Sequence, residues 1–468
     1  MQEFSYHLRT KDEAKLREIG LTQPELLRPT REMDFSPATS ELVGITHVPQ
    51  TAGKGHIKFT FEDFIVEEIT ETGELCTIAP PKAYQAHPYN PETQKIEATV
   101  TKKGMNGFEL SERFAEALNI PLKFITYGGL KDGRGVTSQR YSFNATPPER
   151  LAGVQIPNTF IKDIHPRTGM RNTGELRGNR FTITLRTSPD TNPYLFHARL
   201  QDTERNGFLN FFSLQRFGSR LNAHHLGKLV LQQQYQEAVK RFLTEASPFE
   251  SELSAQYRAK AATSWGDWDH MIEAFSPFPY FFQNELSILK ALRDNATNPA
   301  LALASIPQQV KMWVAAYESY AFNLLLSLRA SQGDVPEKLP QLHPDMEVKQ
   351  QYAAVIPEAE LATFRWYHPQ LLFLGSAKRR ETATRSFPTM HVCQQMQGGY
   401  ILRFELGKGA YATNFLTNLV LLSQGRFAPD WVNPEHIDAT ALLDGYAVSS
   451  TLQALTPAPP LAPESLED

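Results

Sequence analysis

The chain has 468 residues, 41% hydrophobic and 21% charged, the balance of a globular protein long enough for more than one core. Lysine and arginine number 47 against 51 acids, a net charge of −4, which excludes a chain coated throughout in basic charge but leaves room for a local basic face. Two distant cysteines, Cys76 and Cys393, argue against a disulfide framework or a cysteine zinc site, and the longest apolar runs are too short to cross a bilayer.

The opening "MQEFSYHLRTKDEAKLREIG" is charged and mixed in sign, unlike a signal or transit peptide, so a cytoplasmic location is expected. Residues 1–50 read as an extension ahead of the main fold. In "HIKFTFEDFIVEEI" the alternation of Ile57, Phe59 and Phe61, resumed by Phe64 and Val66, predicts strand, and "KIEATVTKK" predicts a second. "FELSERFAEALNIP" predicts a helix with Leu110, Phe114, Ala117 and Leu118 on one face, stopped by Asn119 and Pro121. "KFITYGG", "VTSQRYSF" and "NRFTITLR" predict three more strands.

Between the last two, residues 162–180 carry Lys162, Arg167, Arg171, Arg177 and Arg180 against Asp163 and Glu175. Five cations less two acids leaves an excess of three, enough to follow a phosphate backbone or simply to face solvent. After Phe217 the pattern turns helical. "HLGKLVLQQQYQEAVKRFLTEAS" reads as one amphipathic helix, and "KMWVAAYESYAFNLLLSLR" sets Trp313, Tyr317, Tyr320, Leu324 and Leu328 in a core stripe. Strand returns at "GYILRFEL", a helix is expected in "ATNFLTNLVLLSQ", and the proline-rich end reads as disordered.

The order is β-rich, helical, then β-rich again, which points to one domain inserted into another. "TAGKGH" and "LGKGAY" lack the spacing of a phosphate loop, and the adjacent His224 and His225 cannot share a helix face as metal ligands. No metal is expected. What stands out is "YGGLKDGRGVTSQ", residues 127–139, an aspartate among glycines between two strands. Its simplest reading is a tight hairpin in which glycine supplies positive φ.

Taken with its neighbours, the stretch resembles the central motif of the TruD family of pseudouridine synthases, at Gly129, Lys131, Asp132, Thr137 and Gln139. "IKFTFEDFIVEE" resembles the first strand motif, with Lys58, Glu62, Asp63, Phe64, Val66 and Glu68. "GELRGNRFTITLR" follows in the family's order, then "NFFSLQRFG" with Asn210, Phe212, Gln215, Arg216, Phe217 and Gly218. "AYESYAFN" ends at Asn323, and "FELGKGAYATNFL" carries Gly409, Tyr411, Ala412 and Thr413. Departures include Phe61 where Pro is usual, Ser213 for Gly, Gly107 for Thr, Gly407 for Pro, and Thr417 and Asn418 for an Arg-Glu pair.

The resemblance implies an α/β (α+β) fold: a pseudouridine synthase catalytic domain on a mixed, mostly antiparallel sheet, plus an inserted, mainly helical α/β TRUD domain, with RNA bound in the cleft between. The expected boundaries are 1–50 for the extension, 51–240 and 385–448 for the catalytic domain, 241–384 for the insertion and 449–468 for a disordered tail. The implied reaction isomerises uridine in tRNA, at position thirteen, to pseudouridine without a cofactor. Asp132 is the implied catalytic carboxylate, acting by attack on the ribose or base or by proton abstraction at C2′. Lys58, Phe64, Asn210, Phe212 and Tyr411 are the implied substrate-binding residues. Lys131, Arg134, Arg140, Arg171 and Arg177 are placed along the RNA backbone, and a monomer is expected. The competing readings are an RNA-binding or RNA-folding protein without catalysis, a synthase acting on other RNAs, and a glycosidase-like enzyme using Glu67 or Glu68, which strand alternation puts on opposite faces.

Overall fold

A computed structural model describes residues 2–455, with side chains described from 8 to 452. It divides into two compact units. One comprises residues 51–207, 387–412 and the described chain from 419, and is built on a sheet. The other comprises the described chain to residue 50, residues 208–386 and 413–418, and is mainly helical.

The sheet has ten strands: β1 (Lys54–Ile57), β2 (Phe64–Ile69), β3 (Lys95–Lys103), β4 (Ile125–Tyr127), β5 (Val136–Phe143), β6 (Thr159–Arg167), β7 (Gly178–Thr187), β8 (Thr389–Met396), β9 (Gly399–Gly407) and β10 (Leu421–Gln424). Its main path runs β8-β9-β7-β2-β5-β3-β6, with β4 on β5 and β1 between β7 and β10. Only β2–β5 and β1–β10 are parallel, so the sheet is mixed and mostly antiparallel. On β3 the residues Ile96, Ala98 and Val100 join helix α1 (Gly107–Leu118) in one core. Asn106 caps that helix by accepting from the Glu109 N–H at 2.9 Å, and Asn119 ends it in the left-handed region at φ 46°. Phe114 meets Phe143 edge-on at 5.1 Å.

Two expectations of local structure fail here for visible reasons. The alternation through Phe59 and Phe61 is not strand. Lys58 turns the chain at φ 60°, and Asp63 accepts from the Thr60 N–H at 3.1 Å, folding 58–63 into a loop. The helix expected across 412–424 stops after Ala412–Leu416, because Leu421–Gln424 is drawn into the sheet beside Lys54–Ile57. Near the end of the chain, Val448–Leu455 is a helix whose Val448 and Leu452 pack on Ile65, Val136 and Phe160. The tail therefore does not begin at 449; residues 456–468 lie outside the described residues.

In the helical unit the long helix Pro307–Ser331 packs on the helix Ala223–Leu231. Gly227 lies so close to the Trp313 carbonyl that no Cβ fits. The aromatic stripe is core at Trp313 and Tyr317, and its deeper members further on are Phe322, Leu325 and Leu326 rather than Leu324 and Leu328. The helix expected over 225–247 is two, Ala223–Leu231 and Tyr235–Thr244, separated by a turn with Gln233 at φ 56°.

The N-terminal segment is no separate extension. Buried Asp12 accepts from the N–H groups of Tyr280 and Phe281 at 2.9 and 3.0 Å, and Asn323 donates to the Val43 carbonyl at 2.9 Å. Residues 208–240, expected with the sheet, also belong to this unit.

Candidate active site

Register explains how two distant motifs meet. Strands β2 and β5 run parallel with Ile65 beside Val136 and Val66 beside Thr137. The loops that enter them, 58–63 and 128–135, therefore lie at the same edge of the sheet. The Lys58 ammonium is ion-paired with Asp132 Oδ2, and the Arg134 N–H donates to Oδ1 at 2.9 Å. Arg134 also donates through Nε to the Lys58 carbonyl at 3.2 Å, pinning the left-handed turn. Lys58 is 3% exposed, while the Asp132 side chain retains 20%.

The lysine is further fixed by Phe64, whose ring centroid lies 4.3 Å from Nζ. Phe64 is itself buried, edge-on to Phe181 at 6.1 Å. Behind it, Asp63 is bidentate to fully buried Arg186 at 3.0 and 3.2 Å, and Glu62 pairs with Lys103. The acids of the first motif are thus structural: they shape the loop that delivers Lys58.

The loop of Asp132 joins the antiparallel strands β4 and β5, so the hairpin is present, but it is not a tight turn made by positive-φ glycine. None of Gly128, Gly129, Gly133 and Gly135 has positive φ, so φ is not what glycine supplies. At Gly135 the need is steric, since an added Cβ would run into the Phe64 carbonyl. Gln139 spans the loop by donating to the Gly129 carbonyl at 2.9 Å.

The basic residues expected along RNA mostly turn inward. Lys131 is buried and paired with Glu68 at 2.8 Å. Arg140 is 2% exposed and paired with Glu74. Arg171 is 7% exposed, 3.0 Å from Glu97 and 2.6 Å from the Glu175 carbonyl. Lys162 donates to Thr77 and Ala79, Arg167 pairs with Glu97 and Glu175, and Arg180 with Glu67. Much of the local excess of charge is paired inside the fold, where Lys131, Arg140 and Arg171 are held by acids of this chain. Arg177 is exposed, and Arg134 half-buried. Glu67 and Glu68 both hold cations, on different partners, so neither stands as a second catalytic carboxylate.

Asn210, Phe212 and Tyr411 are positioned differently. In the helical unit, Asn323 accepts from the Phe212 N–H at 2.8 Å and donates to its carbonyl at 2.9 Å. Ser213 and Thr413 share a hydroxyl hydrogen bond at 2.7 Å, and Asn414 donates to the Phe211 carbonyl. The last motif thus grips the segment that carries Phe212. Asn210 is buried, its Nδ2 donating to the Ala383 carbonyl at 3.1 Å, while its Oδ1 has no hydrogen-bond partner among the described residues. Tyr411, in the sheet unit, is half-buried just beyond β9.

One residue at this edge escaped the sequence reading. Lys102 is 1% exposed and donates to the carbonyls of Met105 at 2.6 Å and Asp132 at 3.1 Å. Its signal was the period of two: Ile96, Ala98, Val100 and Lys102 share one face of β3. Among the described residues no group of three or more His, Cys, Asp or Glu side chains could hold a metal ion, and no helix is long and apolar enough to cross a membrane.

Residues 45–341 match the family described as tRNA pseudouridine synthase D (TruD). A relative from Archaeoglobus fulgidus, described as a tRNA pseudouridine synthase D, is 32% identical over 296 residues, covering 62% of this chain and 67% of that protein. One from Methanocaldococcus jannaschii, described likewise, is 26% identical over 381 residues, covering 78% and 95%. A crystal structure from Methanosarcina mazei described as TruD shares the fold, with a TM-score of 0.54 at 20% identity over 81% of this chain and 97% of that one.

Proposed function

The chain belongs to the TruD family of tRNA pseudouridine synthases, and from that premise we propose that it isomerises uridine thirteen of tRNA with Asp132 as its single catalytic carboxylate, as a cytoplasmic monomer. The observation that carries this is the Lys58–Asp132 pair, a partly exposed carboxylate whose two oxygens are held by an ammonium and a backbone N–H. The reaction breaks N1–C1′, turns the uracil, joins C5 to C1′, and loses a proton from C5 while N1 gains one, so atoms and oxidation state balance without a cofactor. Asp132 acts either by adding to the ribose or base or by taking the C2′ proton, and Lys58 compensates charge on either route.

The uridine must leave its stack, which costs a few kcal/mol, while a single aromatic contact returns about 1–3 kcal/mol. Tyr411 and Phe212 are the proposed contacts, and Phe64 supports Lys58. Asn210 is the proposed hydrogen-bonding partner of the uridine.

The test is pseudouridine mapping of bulk tRNA incubated with wild type and with Asp132→Asn. A new pseudouridine at position thirteen from wild type alone, at equal tRNA affinity, is the expected result. Pseudouridine at other sites, or only in total cellular RNA, would replace the tRNA assignment with another substrate. Binding without product on any RNA would make the protein a binder on this scaffold.

A further inference from the structure

A lysine on the core face of a central strand is costly to desolvate and is kept when its charge has a use. Lys102 stands in register with Thr137 of β5 on one side and Thr159 of β6 on the other, neither of which titrates in water. Among the described residues its ammonium is held by backbone carbonyls rather than in an ion pair: that of Met105, ahead of α1, and that of Asp132. The charged groups that face it are Asp132 and Lys131 from the loop and Glu109 from α1. Of these, Asp132 is already paired with Lys58 and Lys131 with Glu68.

We propose that Lys102 is a positioning residue for Asp132: its buried ammonium ties the Asp132 carbonyl to that of Met105, and so fixes the backbone from which the carboxylate reaches Lys58. The inference rests on the reading of Asp132 as the catalytic carboxylate. Lys58 and the Arg134 N–H hold the carboxylate itself, but neither holds the peptide that carries it. Lys102 does, from the opposite side of the loop, and its anchor at Met105 is fixed in turn by the helix that Asn106 caps.

The clamp has a pH signature. Burial pushes Lys102 down to about 8, with Asp132 and Glu109 drawing it up and Lys131 pressing it down. The charged clamp is therefore complete below about 8 and weakens as pH rises through that value, when the charge-assisted hydrogen bonds become those of a neutral amine.

The experiment compares full-length wild type, Lys102→Met and Lys102→Arg in single-turnover pseudouridine formation on tRNA from pH 6.5 to 9.5, together with hydrogen exchange of the peptide spanning 128–136. Displacing a catalytic group by about 1 Å costs about 100-fold, so Lys102→Met is expected to lose that much in kcat with KM within about threefold, and its loop should exchange about tenfold faster. Lys102→Arg, whose guanidinium stays charged throughout, should keep activity within about tenfold at pH 7 and lose the alkaline decline shown by wild type. Unaltered kcat and exchange in Lys102→Met would overturn the proposal. So would the same alkaline decline in wild type and Lys102→Arg, which decides the matter if Lys102→Met does not fold. Should wild type form no pseudouridine on any RNA, the functional reading fails instead, and exchange alone then decides whether the clamp exists.

Discussion

Lys58 and Asp132 are 74 residues apart in sequence and form an ion pair because the strands they precede run side by side in one direction, Ile65 against Val136. An antiparallel pairing would put the two loops at opposite ends of the sheet. One of the sheet's two parallel contacts is thus what builds the site.

Lys58 sits at φ 60°, where a residue with a Cβ is strained by about 1–2 kcal/mol. Lys58→Gly should relieve that strain and offset part of the lost ion pair, leaving stability within about 1 kcal/mol of wild type. Activity should fall by about 100-fold or more, since the charge that faces Asp132 has gone. Chemical denaturation and single-turnover rates on one preparation check both halves. Activity near wild type would remove Lys58 from the chemistry.

Gly135 is required by the Phe64 carbonyl rather than by φ. Gly135→Ala must separate the two loops, and a shift of about 1 Å between reacting groups costs about 100-fold in rate. Gly129, whose nearest neighbour to an added Cβ is the Leu176 side chain at 3.8 Å, should accept alanine with under about 1 kcal/mol lost. Similar behaviour of the two variants in a turnover assay would contradict this assignment of steric need.

Much of this was legible in the chain and some was not. Alternation of Ile96, Ala98 and Val100 is visible in β3, although β3 and β5 are central strands buried along nearly their whole length rather than at alternate residues. It misled at Phe59 and Phe61, where Asp63 competes for the backbone of Thr60 and makes a loop. It also misled at Leu419–Leu422, an apolar run that suits a helix or a buried strand equally until its neighbour Lys54–Ile57 is known. Asp132 could be picked out by its motif. That Arg140 and Arg171 are interior cations could not, because their partners, Glu74 just after β2 and Glu97 on β3, become neighbours only when β2, β3, β5 and the 162–180 segment come together.

The pairing of Lys131 with Glu68 is buried on both sides, at 4% and 0% side-chain exposure. Removing one partner of such a pair typically costs about 3–5 kcal/mol, whereas replacing both by apolar residues can be nearly neutral. Lys131→Met should therefore be strongly destabilising, and Lys131→Met with Glu68→Leu less so, although Arg171, at 3.6 Å from Glu68, keeps Glu97 as a partner. A double-mutant cycle by denaturation reads the coupling. Lower tRNA affinity of Lys131→Met at full stability would instead return Lys131 to the RNA surface.

Exposure separates the arginines of the 162–180 segment by function. Arg177 is exposed, and if it neutralises one phosphate, Arg177→Gln should weaken tRNA binding and reduce the salt slope by about 0.7–0.9. Arg171→Gln should leave the slope unchanged and lower stability, because Glu97 and Glu68 lose a buried partner. Titrations of tRNA at several salt concentrations, beside melting curves, distinguish the two effects.

Glu97 gathers three of the cations that the sequence had offered to RNA, Arg167 and Arg171 at 3.0 Å and Arg140 at 3.8 Å, together with His165 at 3.6 Å. Burial pushes its carboxyl up, but His165 and the three arginines outweigh it and hold it at about 2, below its usual 4.5. Depressed in the folded state, Glu97 contributes stability that is complete above 4.5 and lost as pH falls towards 2. His165 is raised from 6.5, chiefly by its hydrogen bond to Glu97, so its share is complete below 6.5 and lost as pH rises through the folded value. Glu97→Gln should thus cost about 3 kcal/mol at pH 6, as for a broken buried ion pair. The deficit relative to wild type should shrink steadily from pH 4.5 towards 2, as the Glu97 carboxyl becomes protonated. Denaturant unfolding of the two proteins across that range measures it, and a deficit that stays constant with pH would mean the carboxylate's charge is not what holds the three arginines in place.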